Sequence, residues 1–127
     1  MTAASEQSLS GRRVLVVEDE YFIADDIARA LGRLGAEVVG PVPDRDEALA
    51  VLSSGERVDL AVLDINLHGE MVHPVADALQ DRGVPFVFAT GYDQSVVPAR
   101  HHDAPRWEKP FDPTVLVRAL PRLVRSA

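Results

Sequence analysis

Short, continuous runs of apolar residues alternate along this chain with segments in which apolar residues recur every three or four positions. Three of the runs end directly before a polar residue, namely Val14–Val17, Leu60–Leu63 and Phe86–Ala89. Continuous apolar runs are typical of parallel strands that are buried on both faces. The segment Ala36–Val42 and a short stretch before Lys109 complete a set of five predicted strands.

Helices are predicted between these strands and after the last of them. The first carries apolar residues at helical spacing and is expected to end near Gly35. The second begins at Asp44, because Asp44 and Glu47 together resemble a capping box. The third has Pro74 in its first turn, and Asp112 is expected to cap the last helix.

Prolines limit two segments of the chain. The connection from Thr90 to Lys109 contains Pro98 and Pro105. Because proline breaks helix interiors, we expect a short helix or an irregular, mobile segment in this connection. Pro121 is expected to kink or end the last helix, since an interior proline costs about 3 kcal/mol.

The alternation of strands and helices predicts a flavodoxin-like α/β fold. This fold is a doubly wound, five-stranded parallel sheet in the order 2-1-3-4-5, with helices on both faces. The first and third strands are then neighbours where the winding reverses, and ligand sites lie outside the strand ends at such a point. Residues 12–125 are predicted to form this domain. Residues 1–11 are predicted to be a flexible lead-in, because they lack the apolar core of a signal peptide.

The residues at the ends of the predicted strands point to phosphoryl chemistry. Glu18 and Asp19 follow the first strand, and Asp64 follows the third. Thr90 and Lys109 follow the fourth and fifth strands. Neighbouring carboxylates repel one another and favour a divalent cation such as Mg²⁺, and an aspartate can accept a phosphoryl group. A lysine and a metal together neutralise the transferred group.

Four blocks of the sequence resemble the signature blocks of bacterial response-regulator receiver domains. They are VLVVEDE at 14–20, LDINL at 63–67, TG at 90–91 and KPF at 109–111. The resemblance runs from about Arg12 to Val124. A narrower resemblance lies inside it, because the block PFVFATGY is similar to the PFxFATGY block of the single-domain receivers called the FAT GUY family.

The resemblance implies a set of roles for the acids. Asp64 would be the phosphoacceptor, and Asp19 would be a direct ligand of Mg²⁺ or Mn²⁺. Glu18 would contribute to the metal mostly through water. Asn66, two residues beyond the acceptor, would offer its backbone carbonyl to the metal.

The resemblance also implies how the phosphoryl group is held. Thr90 and Lys109 would contact it, and the peptide bond after Lys109 would be cis. Many members of the family carry an aromatic switch residue three positions before the lysine. This chain has Arg106 there, which leaves Tyr92 and Trp107 as candidates to replace the aromatic residue.

The function implied by the resemblance is that of a stand-alone response regulator. It would accept a phosphoryl group from a sensor histidine kinase, with kinases of the HWE/HisKA2 type as candidates, and signal to an unknown downstream protein by contact or by phosphate flow. One alternative is a pseudo-receiver that binds partners without phosphorylation. Another is a haloacid-dehalogenase-like phosphatase, but such enzymes need a second acid where this chain has Asn66.

Composition narrows the classes of function. The chain has 127 residues, 46% of them hydrophobic, which suits one domain with a single core. Its net charge of −7, without a basic run, argues against a nucleic-acid partner. The absence of cysteine excludes disulfides and cysteine-based metal sites. No apolar stretch approaches the ~20 residues of a membrane span, so a cytoplasmic protein without a membrane partner is predicted.

Each residue of the candidate site also has a simpler explanation. Glu18 and Asp19 can merely cap the first helix, Asp64 can be a loop acid, Thr90 a strand residue and Lys109 a solvated charge. Their joint position at successive strand ends favours the functional interpretation.

The four histidines are expected on the surface or in loops. They are His68, His73, His101 and His102. The adjacent pair cannot present both rings on one helix face, because residues that share a face are three or four positions apart.

Overall fold

The strands of the molecule are arranged around a buried centre. The computed structural model describes residues 8–91 and 97–125. Within these residues the strands are β1 (Arg13–Val17), β2 (Glu37–Val42), β3 (Leu60–Asp64), β4 (Asn66–Leu67), β5 (Glu70–Met71), β6 (Phe86–Thr90) and β7 (Arg106–Glu108). Every residue of β3 and β6 is buried, as expected for parallel strands that are covered on both faces.

Five of these strands form one parallel sheet, in the order β2-β1-β3-β6-β7. The remaining two, β4 and β5, form a small antiparallel hairpin directly after β3. When the strands of the large sheet alone are counted along the chain, their order is 2-1-3-4-5. The predicted flavodoxin-like topology is therefore confirmed.

Helices cover both faces of the sheet. They are α1 (Tyr21–Arg33), α2 (Arg45–Ser53), α3 (His73–Asp81), α4 (Pro113–Arg118) and α5 (Pro121–Arg125). The buried residues of α2 and α3 pack with Phe88 on one face of the sheet. Those of α1 and α4 pack with Val87 on the other face. No helix in residues 8–91 and 97–125 has the length and apolar character needed to cross a membrane.

Local signals at the helix ends agree with the predictions. The Asp44 side chain accepts a hydrogen bond from the Glu47 amide at 2.8 Å, and Asp112 caps α4 through the Thr114 amide at 2.9 Å. Such caps satisfy amide groups that have no partner within the helix. The last helical region is divided as predicted, because α4 ends at Arg118 and α5 begins at Pro121.

The connection between β6 and β7 contains little regular structure. In its described part, the only helical element is a 3₁₀ turn at Ala99–His101. This agrees with the prediction of a short or irregular fourth helix. The prolines in the connection disfavour a longer helix. Residues 92–96, including the candidate switch residue Tyr92, lie outside the described residues.

The segment before β1 differs from the predicted flexible lead-in. Leu9 is fully buried among the residues of α1 and α4, and its amide donates a hydrogen bond to the Leu34 carbonyl at 2.9 Å. Burial of a leucine side chain stabilises a fold by about 1.5–3 kcal/mol. Residues 8–11 therefore pack against the domain, while residues 1–7 lie outside the described residues.

A glycine in β2 sets the approach of this strand to β1. Gly40 has φ +94°, and a Cβ atom there would lie 2.7 Å from the Val42 nitrogen and 3.2 Å from the Val16 carbonyl oxygen. The strand register shifts at this point, and the Val42 carbonyl accepts a hydrogen bond from the Glu18 amide at 3.0 Å. Gly40 thus allows β2 to approach β1 closely enough for Val42 to bind the backbone amide of Glu18.

Candidate functional site

The carboxyl ends of four parallel strands bring the predicted site residues to one edge of the sheet. Asp64 is the last residue of β3 and Thr90 is the last residue of β6. Asp19 lies just beyond the end of β1, and Lys109 directly follows β7. All four residues line one crevice together with Asn66. The structure therefore assembles residues that are far apart in the sequence.

The Lys109 ammonium group lies among the acids. Its Nζ atom is 3.0 Å from Glu18 Oε1, 3.2 Å from Glu20 Oε1 and 3.4 Å from Asp64 Oδ2. The Lys109 amide donates a hydrogen bond to the Thr90 carbonyl at 2.7 Å, which ties the two strand ends together. The peptide bond after Lys109 is cis, as the resemblance implied.

We use the name acidic pocket for one cluster of charged side chains. It comprises Glu18, Asp19, Glu20, Asp64 and Lys109. Four carboxyl groups share one ammonium group here, so the pocket carries more negative than positive charge.

Burial shapes the ionisation of this pocket. Asp64 is only 5% exposed, and burial, together with repulsion from Glu18, raises its pKa to about 8 against the opposing attraction of Lys109. Burial also raises the pKa of Glu18. Burial alone would lower the pKa of Lys109. The hydrogen bond to Glu18 and the negative charge of Asp64 outweigh the effect of burial and raise this pKa to about 12.

The Asp19 carboxyl group has a lowered pKa. Burial acts against its ionisation, but hydrogen bonds from Asp64 and Glu18 outweigh this effect, so the pKa of Asp19 is lowered. His68 also contributes, through its charge when protonated. Asp19 thus offers a carboxylate beside two acids, Glu18 and Asp64, whose pKa values are raised.

The side chains of the pocket fit a divalent cation. Ligand atoms of Glu18, Asp19 and Glu20 lie within 4.8 Å of one another, and carboxylate oxygens are the ligands that Mg²⁺ prefers. Glu18 Oε1 is buried and contacts Lys109 Nζ at 3.0 Å, so a bound cation would compete with the lysine for this oxygen. The helix-cap explanation applies in part to Glu18, because its Oε2 atom accepts a hydrogen bond from the amide of Glu20, the N-cap residue of α1, at 3.0 Å.

Glu20 is the acid that the sequence analysis missed. The structure groups Glu20, and not Asp64, with Glu18 and Asp19 as possible ligands. Its position directly after the predicted pair was the available signal, but position alone does not reveal the direction of an exposed side chain.

The hairpin after β3 contributes polar groups to the same crevice. The Asn66 amide lies 3.4 Å from Asp64 Oδ1, and the Asn66 side chain accepts a hydrogen bond from the Gly69 amide at 2.8 Å. The His68 amide donates to Asp19 Oδ2 at 3.0 Å. The side chain of Asn66 is thus engaged in the turn of the hairpin, which leaves only its backbone carbonyl for the predicted metal contact.

Comparison with known proteins identifies the family. Residues 14–121 match the response regulator receiver domain. The chain belongs to this family. Receiver domains are signalling domains and not classical enzymes, which argues against the haloacid-dehalogenase-like alternative.

Individual relatives agree with this assignment. The chain is 35% identical over 103 residues to the sensory transduction protein LytT of Bacillus subtilis, covering 79% of this chain and 43% of LytT. It spans about half the length of the curated relatives that it matches.

Solved structures extend the comparison. The solution structure of SdrG from Sphingomonas melonis Fr1 is 40% identical with a TM-score of 0.74, covering 88% of this chain and 96% of SdrG. The response regulator PhyR from Brucella abortus is 28% identical with a TM-score of 0.78, covering 98% of this chain and 53% of PhyR. The narrower assignment to the FAT GUY family stays a prediction.

One histidine of the receiver domain contradicts the prediction for this residue type. His101 is buried, and its Nε2 atom lies 2.7 Å from Asp77 Oδ1 of α3. We use the name histidine–aspartate pair for these two residues. His68 and His102 are exposed as predicted, whereas His73 is half-buried. The spacing argument was therefore wrong for His101, because it concerned only the sharing of a helix face.

Proposed function

We propose that this receiver domain accepts a phosphoryl group on Asp64 from a sensor histidine kinase, in a reaction that depends on Mg²⁺ or Mn²⁺. It then signals as a stand-alone regulator through protein contact or phosphate flow. The observation that carries the proposal is the position of Asp64, buried at the carboxyl end of β3 with Lys109 Nζ 3.4 Å from its carboxylate.

The proposed chemistry begins with the Asp64 carboxylate. One of its oxygens attacks phosphorus in the phosphohistidine of the kinase, the phosphorus–nitrogen bond breaks, and the imidazole leaves with the electron pair. Glu18 and Asp19 would hold the cation together with Asp64 and the Asn66 carbonyl. A bound divalent cation supplies positive charge that offsets these carboxylates and the phosphoryl oxygens.

Two residues of this chain would hold the phosphoryl group after transfer. The Lys109 ammonium now contacts three carboxylates, and it would exchange one of them for a phosphoryl oxygen. The Thr90 side chain, buried at the end of β6, would donate its hydroxyl to another oxygen. Because the Lys109 amide donates a hydrogen bond to the Thr90 carbonyl, the ends of β6 and β7 would move together.

The signal would pass to the segment that joins these two residues. Residues 92–106 connect β6 to the start of β7, and their described part contains only one 3₁₀ turn. SdrG has a solved structure in its BeF₃-activated conformation, which supports beryllofluoride as the probe for this chain. Hydrogen exchange with and without beryllofluoride should then change protection across residues 97–106 as well as around Asp64. A change around Asp64 alone would contradict this route.

Intact-mass measurement after incubation with acetyl phosphate and Mg²⁺ tests the acceptor. We expect one added phosphoryl group on the wild type and none on Asp64→Asn. Asp103→Asn is the matched control, since Asp103 is an exposed acid outside the acidic pocket, and it should be labelled like the wild type. Equal labelling of Asp64→Asn would refute the assignment. A wild type without any label would favour the pseudo-receiver alternative.

The identity of the kinase is a finer part of the proposal. Receiver domains of response regulators are typically phosphorylated by sensor histidine kinases, and the HWE/HisKA2 type stays a prediction from the sequence resemblance. Phosphotransfer from a panel of purified histidine kinases is the measurement that decides it.

A further inference from the structure

The turn between β4 and β5 brings an imidazole ring to the acidic pocket. The backbone amide of His68 donates to Asp19 Oδ2 at 3.0 Å, and the ring atom Nδ1 lies 3.2 Å from the same oxygen. The side chain of His68 is 80% exposed, so no packing forces the ring into this position. Its place is set by the backbone of the turn.

This turn is well defined by its hydrogen bonds and backbone angles. His68 has φ +51° and Gly69 has φ +89°, as in the two central residues of a type I′ hairpin turn. The Asn66 side chain accepts a hydrogen bond from the Gly69 amide at 2.8 Å, and Glu70 forms an ion pair with Arg45 at 3.4 Å. Histidine is one of the few residues other than glycine that are enriched in the left-handed region, so it is compatible with this turn position.

The distance between the ring and the carboxylate matches the spacing of two metal ligands. In tetrahedral coordination with bonds of about 2.0–2.1 Å, as Zn²⁺ prefers, adjacent ligand atoms lie about 3.3 Å apart. The separation of 3.2 Å between His68 Nδ1 and Asp19 Oδ2 is close to this value. Ligand atoms of Glu18 and Glu20 lie within 4.8 Å of that of Asp19, so the pocket offers further oxygen donors near this carboxylate.

We infer that His68 is a nitrogen ligand of the metal site, an inference that rests on the proposed role of Asp19 in binding the cation. A site of carboxylates and one imidazole favours ions that accept nitrogen, such as Zn²⁺, more than a site of carboxylates alone does. Mg²⁺ prefers oxygen and gains little from the ring. His68 therefore sets the metal preference of this receiver domain.

Calorimetric titration of Zn²⁺ and Mg²⁺ into the full chain tests the inference. The variant His68→Asn removes the imidazole, and asparagine tolerates the left-handed backbone, so the turn and its amide donor are kept. We expect the Zn²⁺ affinity to fall about tenfold or more while the Mg²⁺ affinity stays within about twofold. His102→Asn is the matched control, because His102 is exposed and its ring lies near the Val97 carbonyl, away from the pocket.

Imidazole nitrogen NMR gives a second readout that does not depend on phosphorylation. The Nδ1 resonance of His68 should shift when Zn²⁺ binds and stay in place when Mg²⁺ binds. An unchanged Zn²⁺ affinity in His68→Asn, an equal loss for both ions, or an equal loss in His102→Asn would overturn the ligand role while leaving the proposed phosphoacceptor intact. A wild type that binds neither ion would overturn both.

Discussion

The acidic pocket and the histidine–aspartate pair both contain buried ionisable groups, but the groups that surround them differ. In the pocket, four carboxyl groups share one ammonium group, and the pKa of Asp64 is raised to about 8 by burial and by Glu18. In the pair, one imidazole faces one carboxylate at 2.7 Å. Crowded like charges favour a cation as their partner, whereas the His101 ring already has a carboxylate partner within the protein at its Nε2 atom.

The histidine–aspartate pair and the acidic pocket also differ in what surrounds them. The ring of His101 packs edge-on against Phe86 and Phe88, with centroid distances of 5.5 Å and 6.2 Å. It joins the turn after β6 to α3 through Asp77. The acidic pocket instead opens into the crevice at the sheet edge. We therefore expect the pair to stabilise the fold and the pocket to reduce its stability until a cation binds.

The largest expected effect is at His101. Replacing it with alanine removes a buried ring from the aromatic contacts of β6 and leaves Asp77 without this partner. We expect His101→Ala to lower the free energy of unfolding by about 2–4 kcal/mol, measured by urea denaturation. The neighbouring His102→Ala should change it by less than about 0.5 kcal/mol, because that residue is exposed. Similar losses at both positions would contradict the contrast between pair and surface.

Asp64→Asn should act in the opposite direction. The ordinary pKa of this carboxyl is 3.8, and in the fold it rises to about 8. A carboxyl pKa raised by folding stabilises the protein below the ordinary value, and this contribution is lost as the pH rises through about 8. Without added metal, the variant should exceed the wild type by about 1–3 kcal/mol above pH ~8, with the difference shrinking toward pH ~4. Urea denaturation across this pH range is the measurement, and a pH-independent difference would count against crowding.

Mg²⁺ should offset part of the destabilisation that the acidic pocket causes. We expect the ion to stabilise the wild type by about 1.4 kcal/mol when its free concentration is about tenfold above its dissociation constant. Asp19→Asn should abolish this gain while the fold persists, because the variant lacks a proposed direct ligand. Thermal melts with and without Mg²⁺ provide the comparison. The metal proposal fails if the two proteins respond equally.

The smallest expected effect is at Arg100. Its guanidinium lies 3.2 Å from Asp77 and 3.4 Å from Asp81, but all three side chains are substantially exposed. Exposed ion pairs contribute about 0–1 kcal/mol. We expect Arg100→Ala to cost less than about 0.5 kcal/mol in urea denaturation. A loss as large as that of His101→Ala would show that the surface charges, and not the buried ring, hold the turn to α3.

The parts of the fold that the sequence predicts are those with local causes. Continuous apolar runs indicate buried strands, and a cap such as Asp44 is recognised from residues three positions away. The site follows from topology, because parallel strands bring Asp64 and Thr90 to one edge of the sheet. Both predictions need only short segments and a general rule of chain winding.

The features that escaped prediction depend on contacts between distant segments. His101 is buried because Asp77, 24 positions earlier, and the aromatic residues of β6 meet it in space. Leu9 is one apolar residue in a polar stretch, and its burial depends on where the end of α1 lies. The ring of His68 reaches Asp19 only because the hairpin turn directs it there. No periodic pattern in the sequence predicts these contacts between distant segments.

Gly40 has a consequence for how mutations map onto the function of this domain. The residue carries no functional group and lies in the edge strand β2, yet a side chain there would meet the backbone at Val42 and Val16. Val42 in turn accepts the hydrogen bond of the Glu18 amide. In a saturation screen for loss of signalling, position 40 should therefore score with the acids of the pocket, although it offers neither a ligand nor a charge. Tolerance to substitution would thus depend on backbone geometry at Gly40 and on chemical character within the pocket.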